Sequence, residues 1–110
     1  MFGLFDPPHV KIAKHLPSDT RTAQAAIEAY ADIQLVGLTG NSKDYALGII
    51  LSVWAFNSAA TGAFHLSERD LTYIRNLGGN CARFLGDDNL PIATSVIDDL
   101  IEKGMIPKPE

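Results

Sequence analysis

Residues Tyr45 to Phe64 read YALGIILSVWAFNSAATGAF, a stretch without a single charged side chain. A helix that is apolar on every side must be buried, either in a protein core or in a membrane. The stretch is about long enough to cross a bilayer, which needs ~20 apolar residues, so membrane attachment is one interpretation. Asn57 near its middle lowers the hydropathy, however. The pattern therefore favours the central helix of a globular protein, over about residues 44–64.

One side of this predicted helix carries small residues. They recur at steps of four and three along one line, which consists of Gly48, Ser52, Ala55, Ala59 and Gly62. A line of small side chains allows another helix to approach closely. The larger apolar residues occupy the rest of the circumference. The sequence therefore predicts a helical bundle built around this helix.

A helix is expected before the central one, from about Asp19 to Val36. N-cap residues at 18–20 precede an alanine-rich segment of high helix propensity. Its apolar residues recur at helical spacing and predict an inner face of Ala23, Ala26, Ile27, Tyr30 and Ile33. Gln24 is expected on the outside.

A third helix is expected to start after Ser67, which stands at capping-box spacing from Asp70. Its apolar line matches the small-residue line of the central helix and consists of Leu71, Ile74, Gly78, Cys81 and Leu85. The two helices should therefore pack closely. Gly78 and Gly79 are the weak point, because each glycine costs about 1 kcal/mol of helix stability relative to alanine. The pattern favours a continuous helix over a break at this pair.

A fourth helix is expected from Pro91 to about Lys103, ended by Gly104. Its predicted buried face is Ile92, Val96, Ile97, Leu100 and Ile101. Residues 1–17 are expected to form an irregular segment that docks on the bundle, with one or two helical turns between Val10 and Leu16 at most. The predicted fold is thus all-α: a small four-helix bundle in a single domain, with the bundle at 18–104 and a tail at 105–110.

Composition and charge restrict the class of function. The formal net charge of −4 argues against a nucleic-acid binder, whose affinity depends on cationic contacts to phosphate. A single cysteine, Cys81, excludes an internal disulfide and four-cysteine zinc motifs, and a buried thiol is expected. No metal or other cofactor is expected, because Glu28 and Asp32 lack the histidines of a di-iron bundle motif. The N-terminal residues lack the pattern of a signal peptide, so we expect a cytoplasmic protein.

Large apolar side chains are numerous for so short a chain. This excess over what one small bundle can bury favours a non-enzymatic interaction or regulatory module that self-associates into a homo-oligomer. The candidate interface residues are Phe2, Phe5 and Trp54. An acidic adaptor, or an inhibitor or immunity-type protein that blocks a basic toxin or enzyme, would fit the same composition.

The alternative is a bundle that binds a small ligand or catalyses a reaction. Asn57 and His65 place polar groups against apolar surroundings, and His65 is the best candidate acid or base. Arg75 and Arg83 lie two turns apart on the third helix and could receive an anion, since arginine binds carboxylate and phosphate bidentately. The simpler expectation for both arginines is ion pairing with acidic residues on neighbouring helices.

Overall fold

The computed structural model describes residues 6–108, which form α-helices and no β-strand. The five helices of this range are α1 (Pro8–Ala13), α2 (Arg21–Gln34), α3 (Asn41–Ala60), α4 (Glu68–Leu85) and α5 (Leu90–Glu102). A short 3-10 turn at Ser18–Thr20 leads into α2. The all-α prediction is confirmed, but the described chain has one helix more than the four expected.

The additional helix is α1, which starts at Pro8. Proline is tolerated at the first helical position, because the N–H that it lacks has no partner within a helix there. Ile12 in α1 and Leu16 just beyond it are buried in the common core. Helix α1 is no longer than the one or two turns that the sequence allowed here, but it begins two residues before Val10 and ends three residues before Leu16. Pro7 and Pro8 would interrupt a helix that ran through them, but Pro8 can occupy the first position of a new helix.

The central helix of the bundle is α3, which packs against α1, α2, α4 and α5. It runs from Asn41 to Ala60, about three residues earlier than expected at its start and four at its end. Gly40 with φ 58° precedes the helix and Gly62 with φ 81° follows it. These are left-handed conformations that glycine adopts readily, and they set the helix apart from the flanking chain. Within residues 6–108, no helix combines the length and hydropathy needed to cross a membrane.

The closest packing in the bundle joins α3 and α4. A Cβ atom added to Gly48 would lie 2.7 Å from Sγ of Cys81, and one added to Gly78 would lie 2.9 Å from Cβ of Ser52. Both glycines thus allow an approach that any side chain would obstruct. Helix α4 continues without a break through Gly78 and Gly79. The predicted close contact and the predicted continuity are confirmed.

The core-facing side of α2 differs from the predicted one. Ala23 and Ala26 are exposed, and so is Ile33. Tyr30 is half-buried, and Ile27 alone of the predicted face is fully buried. The predicted inner face is therefore wrong for most of its members, and the helix is rotated relative to expectation.

Buried residues of α2 follow a line that the sequence pattern did not favour, made up of Gln24, Ile27 and Ala31. Leu35 continues this line directly after the helix and is fully buried. Gln24, expected on the outside, is buried with its polar end satisfied, since Nε2 donates to Oγ of Thr20 at 3.1 Å. Burial of a hydrogen-bonded amide is tolerated where that of an unpaired one is not.

The termini of α4 and α5 agree with the prediction, whereas α2 does not have the side-chain cap expected from residues 18–20, since Thr20 precedes it without a capping hydrogen bond. Oγ of Ser67 accepts a hydrogen bond from the backbone N–H of Asp70 at 3.1 Å and so caps α4. Pro91 lies in the first turn of α5, and Gly104, with φ 78°, follows its end. Two details of α5 differ: Ala93 is buried in place of Ile92, which is partly exposed, and Ile101 is only half-buried.

Candidate functional site

Of the polar residues proposed as a ligand site, Asn57 has a clear structural contact. Its Nδ2 atom donates to the backbone oxygen of Pro107 at 2.9 Å. This bond ties the end of α3 to the segment that follows α5. His65 lies in the loop before α4 and is exposed. The two residues thus face different surroundings.

Arg75 and Arg83 are exposed and rest on aromatic rings. The guanidinium carbon of Arg75 lies 5.5 Å from the ring centre of Phe56, and that of Arg83 lies 5.6 Å from the ring centre of Phe84. The guanidinium of Arg83 also donates to Oδ1 of Asn80. The expected ion pairs are not formed: among the described residues, the pairs are Lys14 with Asp6, His15 with Asp70 and Lys43 with Asp32. Each guanidinium therefore contacts an aromatic ring, Phe56 or Phe84, where a carboxylate partner was expected.

Trp54, proposed as an interface residue, is only 4% exposed. It packs edge to face against Phe64, with ring centres 5.4 Å apart. Little of its surface is therefore available to a partner protein. Phe2 and Phe5, the other proposed interface residues, lie outside the described residues.

A cleft of about 340 Å³ opens beside Trp54, between the start of α2, the end of α3 and the segment after α5. We call it the Trp54 cleft. Its lining includes Phe64, Met105 and Pro107, with Asp19 also contributing. Its volume falls within the ~300–1,000 Å³ typical of small-molecule sites. The bond from Asn57 to Pro107 supports one of its walls.

Ser58 gives the Trp54 cleft a polar feature. It lines the cleft and is 1% exposed, and within residues 6–108 its Oγ atom has no hydrogen-bond partner. Buried hydroxyl groups in proteins almost always have a partner. The sequence pointed to this region through Trp54, as a candidate interface residue, and through the neighbouring Asn57. The cleft as a whole could not be predicted, because its lining comes from four separate parts of the chain.

A second surface feature is the side of α2 that faces solvent. We define the α2 outer face as Ala25, Ala26, Ala29 and Ile33 of the helix together with Val36 in the turn that follows it, all of them exposed. Ile33 is 70% exposed and Val36 is 80% exposed. These values are high for β-branched apolar side chains, which are usually buried. This face is the one that the sequence pattern had assigned in part to the core.

The Cys81 thiol is buried, and burial changes its chemistry. Burial raises the pKa of the Cys81 thiol to about 11, so it remains protonated at neutral pH and is a poor nucleophile. The expectation of a buried thiol is confirmed, since Cys81 is 1% exposed. Within residues 6–108, no three histidine, cysteine or acidic side chains are grouped in a way that could hold a metal ion.

Comparison of this chain with protein-family models, with curated proteins and with solved structures gives no match.

Proposed function

We propose that the protein is a non-enzymatic helical interaction module that forms a homodimer through the α2 outer face. The observation that supports this proposal is the 70% exposure of Ile33 on the same side of α2 as three exposed alanines, with Val36, 80% exposed, in the turn that follows the helix. Single exposed apolar residues are ordinary, but a contiguous apolar face is typical of an interaction site. The net charge of −4 also suits an acidic adaptor or an inhibitor of a basic protein, which a dimer would present in two copies.

The shape of the α2 outer face favours a second copy of the same chain as its occupant. The face is small at its N-terminal end, with Ala25 and Ala26, and bulky at its C-terminal end, with Ile33 and Val36. A twofold axis requires that a surface patch be complementary to itself. If two α2 helices pack antiparallel about an axis near Ala29, each Ile33 lies over the Ala25 of the other copy. Bulky and small side chains then interdigitate.

Charges along one edge of α2 are consistent with the antiparallel arrangement. Arg21 begins the helix, and Asp32 lies near its end, about three turns later on the same side. Antiparallel pairing brings Arg21 of each copy towards the C-terminal end of the other α2. The helix macrodipole makes that end favourable for a cation, although Asp32 is already paired with Lys43 of its own chain.

The size of this face sets the expected affinity. Helix α2 has 14 residues and therefore a length of about 21 Å. One face of such a helix is smaller than the ~800 Å² per partner of a standard interface. We therefore expect a weak, reversible dimer with a dissociation constant in the micromolar range.

Sedimentation velocity over about 1–500 µM tests the proposal, because this range spans the expected dissociation constant. The wild-type protein should shift from monomer to dimer as its concentration rises. Ile33→Asp places a charge within the interface, against Ala25 of the other copy, and should keep the protein monomeric at every concentration. Ile92→Asp, which changes a partly exposed isoleucine on α5, is the matched control and should dimerise like the wild type.

The proposal fails if the wild type remains a monomer across the whole range. It fails equally if Ile33→Asp and Ile92→Asp dimerise to the same extent. Circular dichroism of both variants establishes that each is folded.

A further inference from the structure

We infer that the Trp54 cleft binds a small organic cation with an apolar body, a function independent of self-association through α2. The inference depends on three features of the cleft: an apolar wall, a carboxylate in the lining and a buried hydroxyl without a partner. Each feature corresponds to one part of the expected ligand.

The apolar wall is aromatic and contains a thioether. Trp54 and Phe64 meet edge to face with ring centres 5.4 Å apart, and Met105 lines the cleft beside them. Aromatic rings and the polarisable sulfur of methionine pack well against aromatic or alkyl groups. This wall therefore suits a flat or short-chain hydrocarbon body.

Asp19 determines which ligand charge the cleft should prefer. Among the described residues that line the cleft, Asp19 is the only one with an ionisable side chain. Its carboxylate is exposed, in the turn that leads into α2. A carboxylate beside an apolar wall attracts an ammonium group and disfavours an anion. The net charge of −4 on the chain adds to this selection at long range.

The hydroxyl of Ser58 is the third feature. Its Oγ atom is buried without a partner within residues 6–108, and the residue forms part of the cleft lining. Because this Oγ atom is closed to solvent in the free protein, a ligand supplies the missing partner only if the Ser58 side chain turns towards the cleft, and the hydrogen bond then formed favours binding. A polar group on the ligand body, or the ammonium itself, would be that partner.

The protein carries its own reporter for binding, because Trp54 is its only tryptophan. We would titrate the full chain with 2-phenylethylamine while following tryptophan fluorescence and the indole N–H resonance of Trp54. The matched probe is 3-phenylpropionate, which has a similar body but carries a carboxylate. A saturable change with the amine, at least about 10-fold tighter than with the acid, is expected.

Two variants separate the features. Asp19→Asn should weaken binding of the amine by up to about 5-fold, because the carboxylate is exposed, whereas Asp88→Asn, in the turn before α5 and outside the cleft lining, should leave it unchanged. Ser58→Ala should weaken binding without loss of stability, because it removes a hydroxyl that has no partner in the free protein. Thermal melting of each variant verifies that its fold is intact.

The inference is overturned if the amine produces no saturable change, or if the acid binds as tightly as the amine. It is also overturned if Asp19→Asn and Ser58→Ala both bind the amine like the wild type. Because Ile33 is outside the cleft lining, the same titration with the Ile33→Asp variant shows whether binding and self-association are separate.

Discussion

At the scale of single residues, the neighbouring glycines of α4 have opposite surroundings. A Cβ atom on Gly78 would lie 2.9 Å from Cβ of Ser52 and closer still to its Oγ atom. A Cβ atom on Gly79 would meet nothing within 4 Å. The approach of α4 to α3 therefore depends on Gly78, whereas Gly79 contributes only the entropic penalty of a glycine within a helix.

Alanine substitution should separate the two glycines. Gly78→Ala overpacks the contact between α3 and α4 and should lower the free energy of unfolding by about 1–3 kcal/mol. Gly79→Ala, its matched control, should raise that free energy by about 0.5–1 kcal/mol through higher helix propensity. Urea unfolding followed by circular dichroism measures both. An equal rise for both variants would mean that α3 and α4 are not in close contact at this position.

At the scale of elements, a side-chain pair joins the segment after α1 to the first turn of α4. Nδ1 of His15 lies 2.9 Å from Oδ1 of Asp70, and the His15 ring stacks on Tyr73 with ring centres 4.1 Å apart. The hydrogen bond from His15, followed by that from Ser67, holds the pKa of Asp70 below its ordinary value of 3.8. A carboxylate with a lowered pKa in the folded state stabilises the fold only while it is ionised.

The Asp70 pair should make part of the stability depend on pH. Because the pKa in the folded state lies below the pKa in the unfolded state, the contribution is complete above about 3.8 and is lost as the pH falls through the folded value. Asp70→Asn should therefore lower the melting temperature modestly at pH 7, and the difference from wild type should disappear in strong acid. Asp88→Asn serves as the control. A constant difference at every pH would contradict this assignment.

The elements also show how far the sequence predicts this fold. Helices α3 and α4 were predicted well, because an uncharged stretch and a small-residue line admit few other arrangements. The buried face of α2 was not predicted correctly, because alanine fits an exposed and a buried position almost equally. The burial of Leu35 and Gln24 also depends on tertiary packing, which the sequence pattern does not show. The start of helix α1 was misplaced by two residues, because Pro8 was expected to interrupt a helix and instead begins one.

The candidate sites were less predictable than the helices. The Trp54 cleft joins Asp19, Ser58, Phe64 and Met105, which are far apart in the sequence and meet only in the folded chain. The aromatic contacts of Arg75 could not be distinguished from ion pairs by residue type alone. Helical periodicity determines which residues share a face, but it does not determine what lies opposite that face.

At the scale of the whole molecule, the central claim is that two copies associate through the α2 outer face about an axis near Ala29. Two residues that face each other across a twofold axis can be joined by a disulfide if their Cα atoms come within about 7 Å. The alanines of this face allow such an approach. The native Cys81 does not compete, because it is 1% exposed and its pKa is raised to about 11.

The most direct measurement is therefore disulfide trapping of Ala29→Cys under mild oxidation, followed on a non-reducing gel. A covalent dimer should form rapidly, and adding Ile33→Asp to the same chain should abolish it. Thr72→Cys, an exposed position on α4, is the control and should remain monomeric. Trapping of Ala29→Cys that is no faster than that of Thr72→Cys, or that persists with Ile33→Asp, would contradict the proposed dimer.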